Sequence, residues 1–130
     1  MKIPDQRWLE PFSWSAVTSN NAAICQAKSA LHKSTSEGHE PARKLWESAR
    51  VRELSLIEAL DVCRECHRLA PFCFFNGNTF AGIARAMIHP ILQKLDAPTA
   101  FTLRSAVGHY VAGTIGRQEI EQVVRSLEKA

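Results

Sequence analysis

Apolar residues recur at helical spacing along most of this 130-residue chain. No segment of useful length shows the period-2 alternation of a half-buried strand. The most regular apolar stripe consists of Phe80, Ile83, Ala84, Met87, Ile88, Ile91 and Leu95. Spacing of three and four residues places such side chains on one face of a helix, which must be buried against other helices. The chain is therefore predicted to be all-α.

Capping residues and prolines divide the apolar pattern into separate helices. Ser55 followed by Glu58 is a capping-box pattern, which predicts a helix start. Pro71 predicts the end of that helix, because the residue before a proline is pushed away from the α region. Pro90 predicts a kink or a restart within the next helix. We expect a compact bundle of five or six helices around a central helix–loop–helix, as a single helical domain over residues 1–130.

The N-terminal part is predicted to contain one helix followed by a polar loop. Residues 15–32 carry an apolar stripe that includes Leu31, and residues 33–40 are polar and contain a glycine. Trp8 and Trp14 precede the helix. We expect these two rings at the surface, where they would pack against a second copy of the chain in a homodimer.

Charge and hydropathy exclude several classes of protein. The formal net charge is +3, but basic and acidic residues are mixed along the chain, which argues against nucleic-acid binding. No run approaches the roughly 18 apolar residues of a membrane span, and the first residues lack the pattern of a signal peptide. We therefore expect a cytoplasmic protein without membrane contact, in which the four cysteines are thiols.

The segment PFCFFNGNTF, residues 71–80, is unusual for a connection between helices. It combines phenylalanines with an Asn-Gly-Asn that tolerates left-handed backbone, and it leads into a helix N-terminus capped by Asn78 or Thr79. Free N–H groups at such a terminus favour an anion. One interpretation is a ligand site with aromatic walls, and the alternative is a buried turn with its rings in the core. The predicted ligand-binding residues are Phe72, Phe74, Phe75, Asn76, Gly77, Asn78 and Phe80.

The same segment resembles the Fic/Doc family motif, H-x-F-x-[D/E]-G-N-[G/K]-R followed by a helix. Phe74, Gly77 and Asn78 match the motif phenylalanine, glycine and asparagine. Asn76 stands where the family has its magnesium-binding acid. Phe72 replaces the catalytic histidine, and Phe80 replaces the phosphate-binding arginine. The resemblance implies a helical fold and a non-catalytic relative, since the base, the acid and the arginine of nucleotide or phosphate transfer are missing.

Cysteines and one histidine form a second cluster in the sequence. Cys63, Cys66 and His67 spell C-x-x-C-H, the attachment motif of c-type haem, and with Cys73 they could supply zinc ligands. The alternative is that the cysteines are buried thiols that behave as small apolar residues. Their position in mid-helix favours this alternative, and no cofactor is predicted.

These observations predict a non-enzymatic helical module for binding or interaction. Its pocket or surface would lie at the loop of residues 72–80 and would take an apolar or anionic small ligand, or a protein partner. The alternative is an enzyme, either a diverged Fic-like nucleotidyl or phosphoryl transferase or a metal-dependent activity of the cysteine–histidine cluster. Metal content and ligand-induced stabilisation separate the two classes.

Overall fold

The computed structural model of the protein describes residues 1–129. The prediction of an all-α fold is confirmed, and within the described residues the only β-type pairings are two isolated bridges. Residues 1–129 contain seven helices, one more than the upper count predicted, because the chain restarts around Pro90 as a separate short helix, His89–Leu92. No helix in residues 1–129 is long and apolar enough to cross a membrane. The helices are α1 (Trp14–Ala27), α2 (His39–Arg50), α3 (Leu56–Leu69), α4 (Asn76–Met87), α5 (His89–Leu92), α6 (Ala97–Ala112) and α7 (Arg117–Glu128).

Several helices begin where capping residues predict. At the start of α3, the Ser55 hydroxyl accepts from the Glu58 N–H at 3.1 Å, and the Glu58 carboxylate accepts from the Ser55 N–H at 2.8 Å. At the start of α6, the Asp96 carboxylate accepts from the Thr99 N–H at 2.8 Å. These side chains satisfy N–H groups that have no partner inside the helix, so the capping box predicted at Ser55 is confirmed.

Helix α4 lies at the centre of the fold and packs against α1, α3 and α6. Its predicted apolar stripe is buried from Phe80 to Ile91, and only Leu95, beyond α5, is partly exposed. Burial of such a face supplies most of the stability of a helix of this length. The central helix–loop–helix predicted from the sequence is therefore α3, the loop of residues 70–75, and α4.

The N-terminal part differs from the prediction in two respects. Helix α1 ends at Ala27, and Leu31 is 63% exposed, because Ser29 takes a left-handed conformation (φ 54°) and the chain turns away. The predicted surface position of Trp8 and Trp14 is wrong. Their side chains are only 7% and 8% exposed and pack in the core, so they are not available to a second copy of the chain.

Candidate functional site

The inner side of the loop is part of the hydrophobic core. Phe72 is 1% exposed, and its ring stacks on Trp14 with centroids 5.9 Å apart and planes inclined by 13°. Phe80 is fully buried, with its ring centroid 5.8 Å from that of Trp46. For these two rings the alternative interpretation of the sequence, a buried turn with its rings in the core, is correct. A ligand cannot reach them in this arrangement.

The loop enters α4 through a left-handed phenylalanine. Phe75 has φ 62° and ψ 34° and precedes the first helical residue, Asn76. The cap predicted at Asn78 or Thr79 is wrong, because the helix starts earlier: Asn78 is exposed within the first turn, and buried Thr79 donates its hydroxyl to the Phe75 carbonyl at 2.8 Å. The Asn-Gly-Asn sequence is thus helical, and the left-handed conformation falls on the residue before it.

Asn76 closes the loop on itself. Its side-chain oxygen accepts from the Phe72 N–H at 3.0 Å, and its side-chain nitrogen donates to the Phe72 carbonyl at 2.7 Å. Both polar atoms of this amide are therefore occupied by the backbone four residues earlier. Among the predicted ligand-binding residues, Asn76 has a structural role.

A buried asparagine of α1 holds the loop from the other side. Asn21 is fully buried, and its nitrogen donates to the Phe74 carbonyl at 2.8 Å and to the Thr79 hydroxyl at 3.0 Å. Its oxygen contacts His32 Nδ1 at 2.8 Å and accepts from the Cys25 thiol at 3.5 Å. The sequence did not signal this role, because the predicted apolar stripe that ends at Leu31 is not the buried face of α1. That face consists of Trp14, Val17, Asn21 and Cys25.

A short antiparallel pairing anchors the loop a second time. The Thr35 N–H donates to the Pro71 carbonyl and the Cys73 N–H donates to the Lys33 carbonyl, both at 2.9 Å. The outer side chains of the loop, Cys73 and Phe74, remain exposed. The connection between α1 and α2 therefore fixes the backbone of the loop and leaves its outer face open.

The accessible part of the predicted site is a cleft between α4 and α6, which we call the α4–α6 cleft. It has a volume of about 360 Å³. No acidic side chain is among the residues that line it. Two predicted ligand-binding residues, Gly77 and Asn78, form one end. The complete lining is Gly77, Asn78, Ala81, Arg85, Gly108, His109 and Ala112.

Arg85 is the principal charged group of the α4–α6 cleft, and sequence reasoning did not assign it there. Its guanidinium lies on the backbone of α6 at Gly108, where a Cβ atom would stand 2.2 Å from Arg85 Nη2. Its Nε is buried and has no hydrogen-bond acceptor. Within residues 1–129, Arg85 forms no ion pair. The absence of a side chain at Gly108 is what lets the guanidinium approach α6 so closely.

A neighbouring cavity between α3 and α6 differs from the α4–α6 cleft in that its charged groups have partners. Arg68 forms an ion pair with Glu65. Asp61 accepts from the Tyr110 hydroxyl, and burial, together with this carboxylate, raises the pKa of Tyr110. The guanidinium of Arg64 lies 4.5 Å from the centroid of the Tyr110 ring. Because these groups satisfy one another, the cavity has no unpaired charge comparable to Arg85.

The structure separates the members of the cysteine–histidine cluster. Cys63 and Cys66 are buried in the core, and burial raises the pKa of both thiols, that of Cys66 to about 12. His67 Nδ1 is 2.9 Å from the Val111 carbonyl, to which it can only donate, and Cys73 is exposed on the loop. In the part of the chain that the structure describes, no three His, Cys, Asp or Glu side chains are placed to hold a metal ion. The geometry therefore gives no support to a zinc site formed by Cys63, Cys66, His67 and Cys73, and the burial of Cys63 and Cys66 agrees with the alternative of buried thiols.

Comparisons with known proteins assign this chain to no family. No family model, no curated protein and no solved structure matches it. A function for this chain must therefore be inferred from the chemistry of the α4–α6 cleft.

Proposed function

We propose that the protein is a non-enzymatic binding module that holds a small anion, a phosphate or a carboxylate, in the α4–α6 cleft. The observation that supports this most is Arg85, whose Nε is buried without an acceptor in a cleft that contains no acid. A buried donor that lacks a partner costs roughly 1–3 kcal/mol.

The neighbouring groups suit an anion in charge and in geometry. Gly77 and Asn78 belong to the first turn of α4, whose N–H groups have no partner inside the helix and lie at the positive end of its dipole. The exposed Asn78 side chain adds an amide donor. His109, also exposed, has Nδ1 2.8 Å from the Thr114 hydroxyl. The Thr114 hydroxyl donates to the His109 carbonyl, so it accepts from Nδ1–H and this ring nitrogen is occupied. An oxyanion in the cleft would thus meet the donors of α4: the free N–H groups of its first turn, the Asn78 amide and the Arg85 guanidinium.

The positions that would carry transferase chemistry support the non-enzymatic proposal. Phe72 and Phe80, which stand in place of the histidine and the arginine of the Fic/Doc motif, are buried in the core. No side chain at either position could reach a nucleotide without a rearrangement of the loop. Incubation with magnesium and ATP labelled at the α- or γ-phosphate should give no labelled product. Transfer of label to the protein or to an acceptor would favour the Fic-like enzyme instead.

Titration with inorganic phosphate, and separately with acetate, tests the proposal. In amide NMR spectra we expect shifts that begin at Gly77 and Asn78 and saturate. Arg85→Met should abolish these shifts, and Asn78→Ala should weaken them. Arg104→Met is the matched control, because Arg104 is exposed on α6 and does not line the cleft. Equal binding by the Arg85→Met variant, or no binding of either anion by the native protein, would refute the proposal.

Gly108→Ala tests the position of the guanidinium separately from its charge. The new methyl group would occupy the space of Arg85 Nη2, so the flexible end of the arginine must move. Alanine also favours the helix over glycine by about 1 kcal/mol, so the fold should not suffer. We expect weaker phosphate binding by a protein of unchanged or higher stability.

A protein partner is the second candidate function, and one exposed aromatic side chain favours it. Phe74 is 49% exposed, with its ring centroid 6.4 Å from that of Phe75. Exposed aromatic rings are enriched at protein interfaces. If the chain pairs with a second copy through this face, analytical ultracentrifugation should show a dimer that Phe74→Ser dissociates. A native protein that stays monomeric would exclude the homodimer.

We also propose that the protein acts in the cytoplasm. Cys25, Cys63 and Cys66 are buried as free thiols, a state that a reducing compartment preserves. Cell fractionation with an antibody against the native protein tests this location.

A further inference from the structure

A second cavity lies on the opposite end of α4, and we call it the N-terminal cavity. The segment before α1 forms one wall, and the ends of α4 and α5 form the other. Its volume is about 410 Å³, within the usual range of small-molecule sites. Apolar side chains dominate its interior, among them Ile3, Trp8, Phe12, Met87 and Ile91.

The charged side chains that line the N-terminal cavity are all basic. Lys2, Arg7 and Lys94 line it, and no aspartate or glutamate does. All three cations are exposed, and none forms an ion pair within residues 1–129. The local excess of positive charge therefore favours an anionic occupant.

Trp8 adds a hydrogen-bond donor without a partner. The indole is 7% exposed, and its Nε1 is buried with no acceptor. The other two tryptophans have acceptors: Trp14 Nε1 donates to His39 at 3.3 Å, and Trp46 Nε1 donates to the Phe12 carbonyl at 2.8 Å. Buried indole N–H groups usually find a partner, so Trp8 is an exception that needs an explanation.

We propose that the N-terminal cavity binds an apolar carboxylic acid, such as a fatty acid or an arylalkanoic acid. The apolar body of the ligand packs against Trp8, Phe12 and Met87. Its carboxylate is recognised by Lys2, Arg7 and Lys94. Because Trp8 Nε1 is buried in the free protein, the indole must shift on binding to donate to one carboxylate oxygen. This site shares no lining residue with the α4–α6 cleft, so the two proposals stand independently.

The indole N–H signals in NMR spectra provide a direct test. Decanoate and decanol are the two probes, because they share the apolar chain and differ in the charged end. We expect decanoate to move the Trp8 indole signal, assigned with Trp8→Phe, and to leave the Trp14 signal unchanged. Decanol should bind at least about tenfold more weakly, which corresponds to about 1.4 kcal/mol.

Charge reversal at the rim completes the test. Lys94→Glu should weaken decanoate binding at least about tenfold, and Lys44→Glu, an exposed change on α2 outside the cavity, should not. Both side chains are exposed, so both variants should fold. Decanol binding equal to decanoate binding, an unmoved Trp8 signal, or native affinity in the Lys94→Glu variant would each overturn the proposal.

Discussion

Two buried polar groups in this protein have opposite surroundings. Asn21 reaches from α1 into the core, and both ends of its amide have partners on neighbouring segments. Arg85 reaches from α4 onto α6, and its buried Nε has none. Asn21 lies behind the loop that the sequence predicts as the site, whereas Arg85 lies in the cleft beside it. The difference separates the region that supports the fold from the cleft in which we propose that an anion binds.

Satisfied and unsatisfied buried groups have different physical meanings. A polar network in which each member has a partner makes one arrangement of the chain preferable to others, and it leaves no donor for a ligand. A buried donor without a partner lowers the stability of the free protein, and a ligand that supplies an acceptor recovers that loss. We therefore interpret the surroundings of Asn21 as structural and those of Arg85 as functional.

The largest expected effect on stability comes from Phe72, which lies on the buried face of the loop, in comparison with Phe74 on the exposed face. Phe72→Ala removes a buried ring that stacks on Trp14, and we expect a loss of about 3–5 kcal/mol in the free energy of unfolding. Phe74→Ala, the matched control on the exposed face, should cost less than about 1 kcal/mol. Urea denaturation measures both. Similar losses for the two variants would contradict the division of the loop into a buried and an open face.

Asn21→Ala tests the satisfied group directly. The change leaves the Phe74 carbonyl and the His32 ring without a partner, so we expect a loss of about 2–3 kcal/mol. Asn20→Ala is the control, since Asn20 makes a single long bond of 3.4 Å to the Thr79 carbonyl. Its cost in urea denaturation should stay below about 1 kcal/mol. A loss no larger for Asn21→Ala than for Asn20→Ala would show that the network is not what holds the loop.

Cys66 on α3 is a second buried group without access to solvent. Its thiol should make the free energy of unfolding decrease as the pH rises into the alkaline range. Burial raises its pKa to about 12 from an ordinary value of 9.0, so the unfolded chain ionises first. The stability linked to this thiol is complete below the unfolded pKa and is lost as pH rises towards the folded one, at up to about 1.4 kcal/mol per pH unit.

Urea denaturation between about pH 8 and pH 10 measures this loss, and Cys66→Ala should reduce it. Cys73→Ala changes an exposed cysteine and should leave the pH dependence as in the native protein. An identical pH dependence in the native protein and the Cys66→Ala variant would indicate that Cys66 is open to solvent.

The smallest expected effect on stability comes from substitution of Arg85 in the protein without ligand. Arg85→Met removes the unpaired buried nitrogen and keeps much of the aliphatic packing, so stability should be unchanged or rise by up to about 1 kcal/mol. Thermal unfolding without phosphate measures this. A loss greater than about 1 kcal/mol would show that Arg85 supports the fold and would remove the contrast with Asn21.

Local signals in the sequence were sufficient for most of the fold. The capping box at Ser55, the stop at Pro71 and the restart at Pro90 depend on neighbouring residues only, and all three are present in the structure. The end of α1 could not be predicted in the same way. Its stripe continues to Leu31, but the chain leaves the helix after Ala27 to pair with the loop about forty residues later. Such a contact has no signature within α1.

The site was predictable only in part, for the same reason. The loop is indeed a special connection, but the sequence alone did not reveal that Phe72 and Phe80 face the core while Gly77 and Asn78 face a cleft. The role proposed for Arg85 depends on Gly108, which is distant in the chain and close only after α4 packs against α6. The resemblance to the Fic/Doc motif stays a prediction.

The reach of Asn21 across the fold has a consequence for experiments with fragments. The turn before α4 takes its shape from an amide some fifty residues upstream and from the strand-like pairing of residues 33–35. A peptide of residues 70–90, or the same segment inserted into another helical hairpin, would have the sequence of the loop. We expect it not to adopt the backbone conformation that the loop has here. Such a peptide would lack the contacts from Asn21 and from residues 33–35 that hold this turn.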